Sequence, residues 1–253
     1  MKIPRILVSQ EEMAEDGITF GKKNSRYLRH VLRMKSGDLV QVVEGSHLHR
    51  VLLTVSPGEP TRGEILTTET GPTRDINIAL AFCCVRPGPI EEILRHCTEL
   101  GVSRFIPLIS VRVNRKPQER KDRWTSIVAS ACTQSGRVEV PAVERPIRLQ
   151  QFFLKDFGYE TNLLLSTAAN SRPLLELLPE RPPGGVLILV GPEGGLEEAE
   201  EAQALEAGFH PVNLCRSILR TETAAVVSVG TVIAWYDSRH STRQTVSPID
   251  AQA

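Results

Sequence analysis

The chain has 253 residues, and its 30 lysines and arginines balance 30 aspartates and glutamates, so the formal net charge is zero. A neutral chain excludes the simple argument from bulk charge for a polyanionic partner, so any nucleic-acid surface has to come from local clusters. The length fits one large or two small domains, and either choice buries a core large enough to fold unaided.

The five cysteines give no sign of disulfides or of a metal site. They are odd in number and form no Cys-x-x-Cys pair and no zinc-type spacing with histidine. We therefore expect a reduced, cytoplasmic protein without metal. Residues 1–10 lack the apolar core of a signal peptide, and the apolar run at 224–235 is too short to span a bilayer, so we expect no membrane segment.

Residues 1–71 are predicted to form a small β-barrel with one helix. Asn24 is a candidate N-cap, and Tyr27, Leu28, Val31 and Leu32 after it recur at the spacing of a buried helix face. Three strands are predicted at 39–44, 47–55 and 63–68, of which the first two form a hairpin across Gly45-Ser46.

A second face of this helix is basic, and no acidic residue lies between Lys22 and Gly37. Phosphate contact is the favoured interpretation because the cluster gives a neutral protein a concentrated electrostatic footprint, and a solvated helix face is the alternative. The candidate nucleic-acid contacts are Lys22, Lys23, Arg26, Arg29, His30 and Arg33, flanked by Lys35, with a second cluster at Arg112, Arg115, Lys116 and Arg137.

The Gly71-Pro72-Thr73 segment is the predicted domain boundary, because beyond it strands and helices alternate. This pattern predicts a second domain over 74–241 with a mainly parallel sheet, and a mobile tail over 242–253. The predicted strands are 76–83, 105–109, 162–165, 186–190 and 211–214, and the predicted helices are 90–100, ended by Gly101, a longer one from Pro117 to Gly136, and one after each of the last two strands.

The apolar strand Val186–Val190 runs directly into a glycine loop, Gly191-Pro192-Glu193-Gly194-Gly195. Open α/β sheets bind ligands at this kind of position. The following helix begins with Glu197-Glu198, and this acidic first turn would repel a phosphate, so a neutral or cationic ligand is favoured. A turn that only reverses the chain is the alternative.

Two charged residues, Arg220 and Glu222, precede the apolar run that begins at Ala224. A core helix ordinarily has no charge there, which makes both residues candidates for a functional site. An ion pair or a solvated helix start is the alternative.

Several motifs in this order resemble the RsmE family of ribosomal RNA small-subunit methyltransferases. They are the segment 27–34 with Gly37-Asp38, Thr98-Glu99-Leu100-Gly101-Val102, Thr133-Gln134-Ser135-Gly136-Arg137, the glycine loop within 189–196, and Ile218-Leu219-Arg220-Thr221-Glu222-Thr223-Ala224. The resemblance spans nearly the whole chain.

The resemblance implies methylation of N3 of one uridine in 16S rRNA, within the small ribosomal subunit, with S-adenosylmethionine as cofactor. It also implies a SPOUT fold, an α/β domain threaded as a trefoil knot, together with a PUA-like RNA-binding domain and a homodimer. The cofactor would lie among three loops that follow Leu165, Val190 and Leu214. The residues implied to bind it are Leu165, Ser166, Thr167, Val190, Gly191, Pro192, Gly195, Leu214, Ser217, Ile218, Leu219 and Thr223.

Uracil N3 has to lose its proton before methylation, so positive charge near the base would stabilise the developing anion. Arg220 is the first candidate for this role because its guanidinium is permanently charged. Glu222 is the candidate to orient Arg220 or to take the proton, and Glu193 is a weaker one.

The chain departs from the family pattern at a few positions. Cys215 and Ser217 stand where glycine and arginine are usual, Ser166-Thr167 replaces His-Glu, and His96 stands where lysine is common. These changes leave two other functions open: a non-catalytic RNA-binding or ribosome-assembly protein with the same fold, and a SPOUT methyltransferase of another nucleotide.

Overall fold

A computed structural model describes residues 3–14, 17–71, 76–83, 86–112, 121–179 and 185–240. The chain forms two compact units. The first consists of Met1–Asp75 with Thr125–Pro141, and the second of Ile76–Trp124 with Ala142–Ala253. The first unit thus includes 125–141, which the sequence pattern assigned to the second domain, while the predicted tail lies outside the described residues.

The first unit is built on a six-stranded sheet in the order β1-β4-β5-β6-β3-β2. All neighbouring strands are antiparallel except β1 and β4, and the predicted hairpin is the β4–β5 pair. A core of aliphatic residues and Phe20 packs against it. The strands are β1 (Arg5–Leu7), β2 (Met13–Ala14), β3 (Gly17–Thr19), β4 (Leu39–Glu44), β5 (His47–Thr54) and β6 (Arg62–Thr70), with a 3₁₀ turn at Gln10–Glu12.

The helix of the first unit differs from the prediction in its start and in its buried face. It begins as α1 (Lys22–Arg26) with Gly21 as N-cap, and the Asn24 amide instead donates to the Leu7 carbonyl at 3.1 Å. The next turn, Tyr27–Val31, is π-helical. The wider i→i+5 turn breaks the 3.6-residue period, so Tyr27 is 41% and Val31 63% exposed while Leu28 is fully buried.

The second unit holds an eight-stranded sheet, and every pair in it is parallel, as predicted. The strand order is β10-β8-β7-β13-β11-β14-β12, and β9 also pairs with β8. Its strands are β7 (Ile78–Cys83), β8 (Arg104–Ile109), β9 (Ala142–Val143), β10 (Ile147–Arg148), β11 (Thr161–Leu165), β12 (Arg172–Pro173), β13 (Val186–Val190) and β14 (His210–Asn213).

The helices after residue 76 follow the predicted alternation with two short additions. They are α2 (Pro87–Leu100), α3 (Lys121–Ser135), α4 (Leu149–Phe153), α5 (Leu174–Leu177), α6 (Glu198–Glu206) and α7 (Thr221–His240). Of these, α3 lies mostly in the first unit. Gly101, with a φ of +124°, ends α2 as predicted, whereas Pro117 lies outside the described residues. The short α4 and α5 have too few residues to show a helical period, which is why the sequence did not predict them.

Strands β7 and β13 are buried along their whole length. This is the burial expected of central parallel strands covered on both faces. Because β7, β13, β11 and β14 are parallel neighbours, their carboxyl ends lie at one edge of the sheet. In the described part of the chain, no helix combines the length and the apolar character needed to cross a bilayer.

Candidate functional site

Three loops meet at the edge where β11, β13 and β14 end, and they enclose a cavity of about 290 Å³, the loop cavity. The first loop follows β11, the glycine loop (Gly191–Gly195) follows β13, and the third loop (Leu214–Leu219) follows β14. Eleven of the twelve residues predicted to bind the cofactor line this cavity. They are Leu165, Ser166, Thr167, Val190, Gly191, Pro192, Gly195, Leu214, Ser217, Ile218 and Leu219.

Thr223 is the one residue predicted to bind the cofactor that does not line this cavity. Thr221 and Ala224, three positions apart on α7, face the loop cavity, while Thr223 is exposed. Residues three apart lie on one side of a helix, so Thr223 cannot share that side. The cavity is also lined by side chains that the sequence analysis did not predict, those of Leu196, Glu201, Val212, Asn213, Thr221 and Ala224. The helical spacing of three residues from Thr221 could have indicated that Ala224 faces the same cavity.

The glycine loop is a tight turn fastened to α7. The Gly195 N–H donates to the Pro192 carbonyl at 2.8 Å, and Gly195 has a φ of +71°. This left-handed conformation favours glycine. The buried Thr221 hydroxyl donates to the Gly191 carbonyl at 3.1 Å, so the start of α7 holds the start of the loop.

A buried carboxylate holds the start of α6 next to the glycine loop, and an arginine holds the far side of the loop itself. Glu200, only 4% exposed, accepts hydrogen bonds from the Val111 N–H at 2.9 Å and the Glu197 N–H at 3.0 Å. The Arg112 guanidinium donates to the Gly194 carbonyl, and its Nε lies 3.8 Å from the Glu197 carboxylate. The acidic start of α6 therefore also has a structural role, since Glu197 and Glu200 form a capping box.

The first and third loops carry fewer side-chain bonds. The Ser166 N–H donates to the Val212 carbonyl at 2.9 Å, and its hydroxyl lies 3.4 Å from Glu201. In the third loop the exposed Cys215 thiol donates to the Ser217 carbonyl at 3.4 Å. Both residues that depart from the family pattern in the third loop thus line the cavity and contact each other.

The lining of the loop cavity is apolar and acidic. Among the described residues that line it there is no lysine or arginine, whereas Glu193 and Glu201 are present. Its volume lies at the lower end of the range of about 300–1,000 Å³ that is usual for ligand pockets. This composition suits a ligand that has no phosphate and carries positive charge.

The two predicted catalytic residues come together in an adjoining cavity of about 480 Å³, the arginine cavity. The Arg220 side chain is 81% exposed, and its Nη1 lies 4.0 Å from Oε1 of Glu222, whose side chain is 14% exposed. Oε2 of Glu222 is buried and has no hydrogen-bond partner among the described residues. Glu193, Ile218 and Leu219 line both cavities, which therefore adjoin.

The structure places the predicted nucleic-acid contacts in different environments. Lys22, Lys23, Arg26, His30 and Arg33 are exposed in the first unit. Arg29 is partly buried there and donates to the Thr61 hydroxyl at 2.8 Å and to the Glu59 carbonyl. Arg137 is partly buried, the Arg112 guanidinium is engaged with the glycine loop, and Arg115 and Lys116 lie outside the described residues.

Residues 72–233 match the family model of the RNA methyltransferase domain. Together with the parallel sheet and its loop cavity, this match defines the class of the protein as an RNA methyltransferase. Within that class, the chain belongs to the ribosomal RNA small subunit methyltransferase E family, RsmE, which confirms the resemblance read from the motifs.

The relatives match along almost the whole chain. The ribosomal RNA small subunit methyltransferase E of Synechocystis is 33% identical over 92% of this chain and 78% of its own length. A Neisseria gonorrhoeae ribosomal RNA small subunit methyltransferase E, solved with S-adenosyl methionine bound, is 33% identical, covers 94% of this chain and 98% of its own, and has a TM-score of 0.82. A Legionella pneumophila methyltransferase solved with bound SAM is 26% identical, covers 92% and 98%, and has a TM-score of 0.84.

Proposed function

We propose that the protein transfers a methyl group from S-adenosylmethionine to N3 of a uridine in 16S rRNA of the small ribosomal subunit. The observation that carries this proposal is the loop cavity, formed by the three loops that the family motifs indicated, in a chain of the RsmE family. Two solved relatives have this cofactor bound.

The described residues of the loop cavity fit S-adenosylmethionine. The cofactor carries a sulfonium cation and no phosphate, and the lining offers two carboxylates and no basic side chain. Apolar side chains from Leu165, Val190 and Leu219 supply surface for an adenine ring. Backbone groups of the glycine loop and the third loop would provide hydrogen bonds to the cofactor. These bonds do not depend on side-chain identity, so they remain where Ser217 replaces the usual arginine.

When bound in the loop cavity, the cofactor would supply an electrophilic methyl group to a base in the adjoining arginine cavity. The target base has to be unpaired or extruded, because its N3–H otherwise lies in the base pair. Arg220 stabilises the negative charge that develops on the ring as N3 loses its proton. Glu222 takes the proton or orients Arg220, and Glu193 is the second carboxylate within reach of both cavities.

We assign RNA binding to the first unit, as a PUA-like domain over residues 1–71. Its exposed basic side chains lie along one short helical segment, and the exposed Tyr27 and Val31 lie among them. Such a surface positions structured RNA through its phosphate backbone and through contact with unstacked bases.

Two substitutions test this surface. Arg26→Ala and Arg33→Ala should each reduce the slope of log Kd for 16S rRNA against log salt by about one, since each removes one phosphate contact. Arg29→Ala is the matched control, because its guanidinium is engaged with Thr61 and Glu59 and its loss should lower stability more than the slope. Unchanged slopes for Arg26→Ala and Arg33→Ala would contradict phosphate contact and favour the alternative that this is only a solvated helix face.

The trefoil knot, the homodimer and a cytoplasmic location complete the proposal. The sheet order supports the knot, because β13 lies between β7 and β11 although it follows β11 in the chain. The exposed Val227 on α7 is available for contact with a second copy. Sedimentation at micromolar concentration should give the dimer mass, and a monomer mass would contradict the homodimer.

One assay separates the proposed activity from its alternatives. Purified protein is incubated with labelled cofactor and small subunits from a strain that lacks the enzyme, and the product nucleosides are identified. We expect N3-methyluridine in 16S rRNA. Cofactor binding without methyl transfer would favour a non-catalytic RNA-binding protein, and a different methylated nucleoside would favour another target.

A further inference from the structure

We propose that the arginine cavity binds the Watson–Crick edge of an extruded uracil, and that Arg86 is a substrate-binding residue there together with Arg220 and Glu222. This assignment rests on the proposed methyl transfer and deepens it, because it names the side chains that recognise the base. Arg86 belongs to none of the motifs that pointed to the family.

The fold brings Arg86 to the cavity from a separate part of the chain. It follows β7, the parallel neighbour of β13, and is the N-cap residue of α2 with an extended backbone at φ −103° and ψ 160°. The residue is exposed, and the Arg86 guanidinium makes no hydrogen bond or ion pair with the part of the chain that the structure describes, while its backbone carbonyl accepts from the Ile90 N–H. The guanidinium is therefore available to a ligand in the cavity that it lines.

The charges of the arginine cavity are only partly satisfied within the protein. Arg220 lies at the limit of ion-pair distance from Glu222, 4.0 Å, and remains 81% exposed. Oε2 of Glu222 is buried without a donor among the described residues. A carboxylate with so few donors is costly, so a ligand that brings an N–H to the part of the Glu222 carboxylate that lines the cavity gains a hydrogen bond that the described residues leave unmade.

Uracil presents the complementary pattern. Along its Watson–Crick edge the O4 acceptor, the N3–H donor and the O2 acceptor stand in a row. Two guanidiniums donate to the carbonyl oxygens, and the Glu222 carboxylate accepts from N3–H. Cytosine would set its N3 lone pair against this carboxylate and its amino group against a guanidinium, so the same side chains reject it.

The same contacts support the loss of the N3 proton. The proton passes from N3 to the Glu222 carboxylate, the electron pair stays in the ring, and the negative charge spreads to O2 and O4 beside the two arginines. Ile218, which is 84% exposed, and Leu219 offer an apolar surface for the face of the base. Both residues also line the loop cavity, so the bound base lies next to the cofactor site.

The first experiment compares Arg86→Ala, Arg86→Lys and the control Arg95→Ala on the same helix, an exposed arginine that lines neither cavity. We expect kcat for small subunits to fall about 100-fold in Arg86→Ala, as for loss of one charge-stabilising donor. Arg86→Lys should recover part of the loss, Arg95→Ala should retain full activity, and the cofactor Kd should change less than about twofold.

The pH profile separates a role at the base from a structural one. Because hydroxide ionises N3 without help at high pH, the deficit of Arg86→Ala should shrink as the pH rises. A deficit that stays constant with pH, or wild-type rates in Arg86→Ala at every pH, would overturn the assignment.

A second readout does not depend on turnover. Uridine or cytidine is titrated into the cofactor-saturated protein while the arginine Nε–H resonances are followed by NMR, with assignment from Arg86→Ala and Arg220→Ala. Uridine should shift both resonances and cytidine neither; equal shifts with the two nucleosides would overturn the assignment. If the wild-type protein transfers no methyl group, the proposed function fails, and this titration still decides whether the cavity selects uracil.

Discussion

The glycine loop is held by hydrogen bonds from two other segments, whereas the third loop on the opposite side of the loop cavity is held mainly by its own contacts. Thr221 and Arg112 donate to the Gly191 and Gly194 carbonyls of the glycine loop, and Glu200 holds the adjacent start of α6. In the third loop, the one hydrogen bond between described residues runs from Cys215 to Ser217, and Ile218 is 84% exposed. The firmly held glycine loop suits the binding of a cofactor of fixed shape, and the weakly held third loop can adapt when RNA binds.

The largest loss of activity should come from a substitution next to the third loop, where the proposed methyl transfer takes place. We expect Arg220→Ala to lower kcat about 100- to 1,000-fold, because it removes a preorganised cation from the developing anion. The cofactor Kd, measured by calorimetry without RNA, should change less than about twofold, since Arg220 does not line the loop cavity.

Arg216→Ala is the matched control for this prediction. Arg216 is exposed, lies in the third loop that Arg220 directly follows, and lines neither of the two cavities. Equal losses in the two variants would mean that the loop tolerates no change, and wild-type turnover in Arg220→Ala would remove its catalytic role.

The next substitution tests how firmly the segment that follows the glycine loop is held. Glu200→Ala leaves the N–H groups of Val111 and Glu197 without their acceptor, so the free energy of unfolding should fall by about 3 kcal/mol. Denaturant unfolding measures this loss. The control Glu198→Ala, an exposed residue in the same helical turn, should cost about 0.5 kcal/mol; similar losses would show that Glu200 holds nothing in particular.

A smaller effect decides between two roles of Arg112. If it positions the glycine loop, Arg112→Ala should raise the cofactor Kd about fivefold, equivalent to about 1 kcal/mol for a half-exposed charge-assisted hydrogen bond. The salt slope of RNA binding should then stay unchanged. A slope reduced by about one with unchanged cofactor affinity would support the RNA contact predicted from the sequence.

The smallest effect concerns Cys215. Because its side chain is exposed and the third loop is weakly held, Cys215→Gly should change the cofactor Kd less than about twofold. A change above tenfold would show that the departure from the family pattern alters the cofactor site.

Thiol modification gives an independent view of the same loop. Burial raises the pKa of the Cys83 thiol to about 12 and that of Cys132 to about 11, and it raises the pKa of Cys97 further. The thiolate is the reactive form, so these three should resist iodoacetamide at neutral pH. Peptide mapping should find Cys215 modified first among the four described cysteines, and slower modification with cofactor bound.

The sequence alone determined the elements with a strong local signal. The strand Val186–Val190 agrees with the prediction residue by residue, and Gly101 ends α2 where expected. A continuous apolar run and a left-handed glycine act over a few residues, so they can be read from neighbours in the chain. The motifs around the glycine loop and Arg220 likewise indicated the family, and the family resemblance in turn indicated which loops form the candidate site.

Only the tertiary structure decided which distant residues meet. It placed Arg112 against the glycine loop and Arg86 in one cavity with Arg220 and Glu222, because β7 lies between β8 and β13 in a sheet order that no local period encodes. It also exposed Tyr27, because a π-helical turn replaced the expected period. Local patterns are set by backbone geometry over single turns, whereas site geometry depends on strand order and packing between segments far apart in the chain.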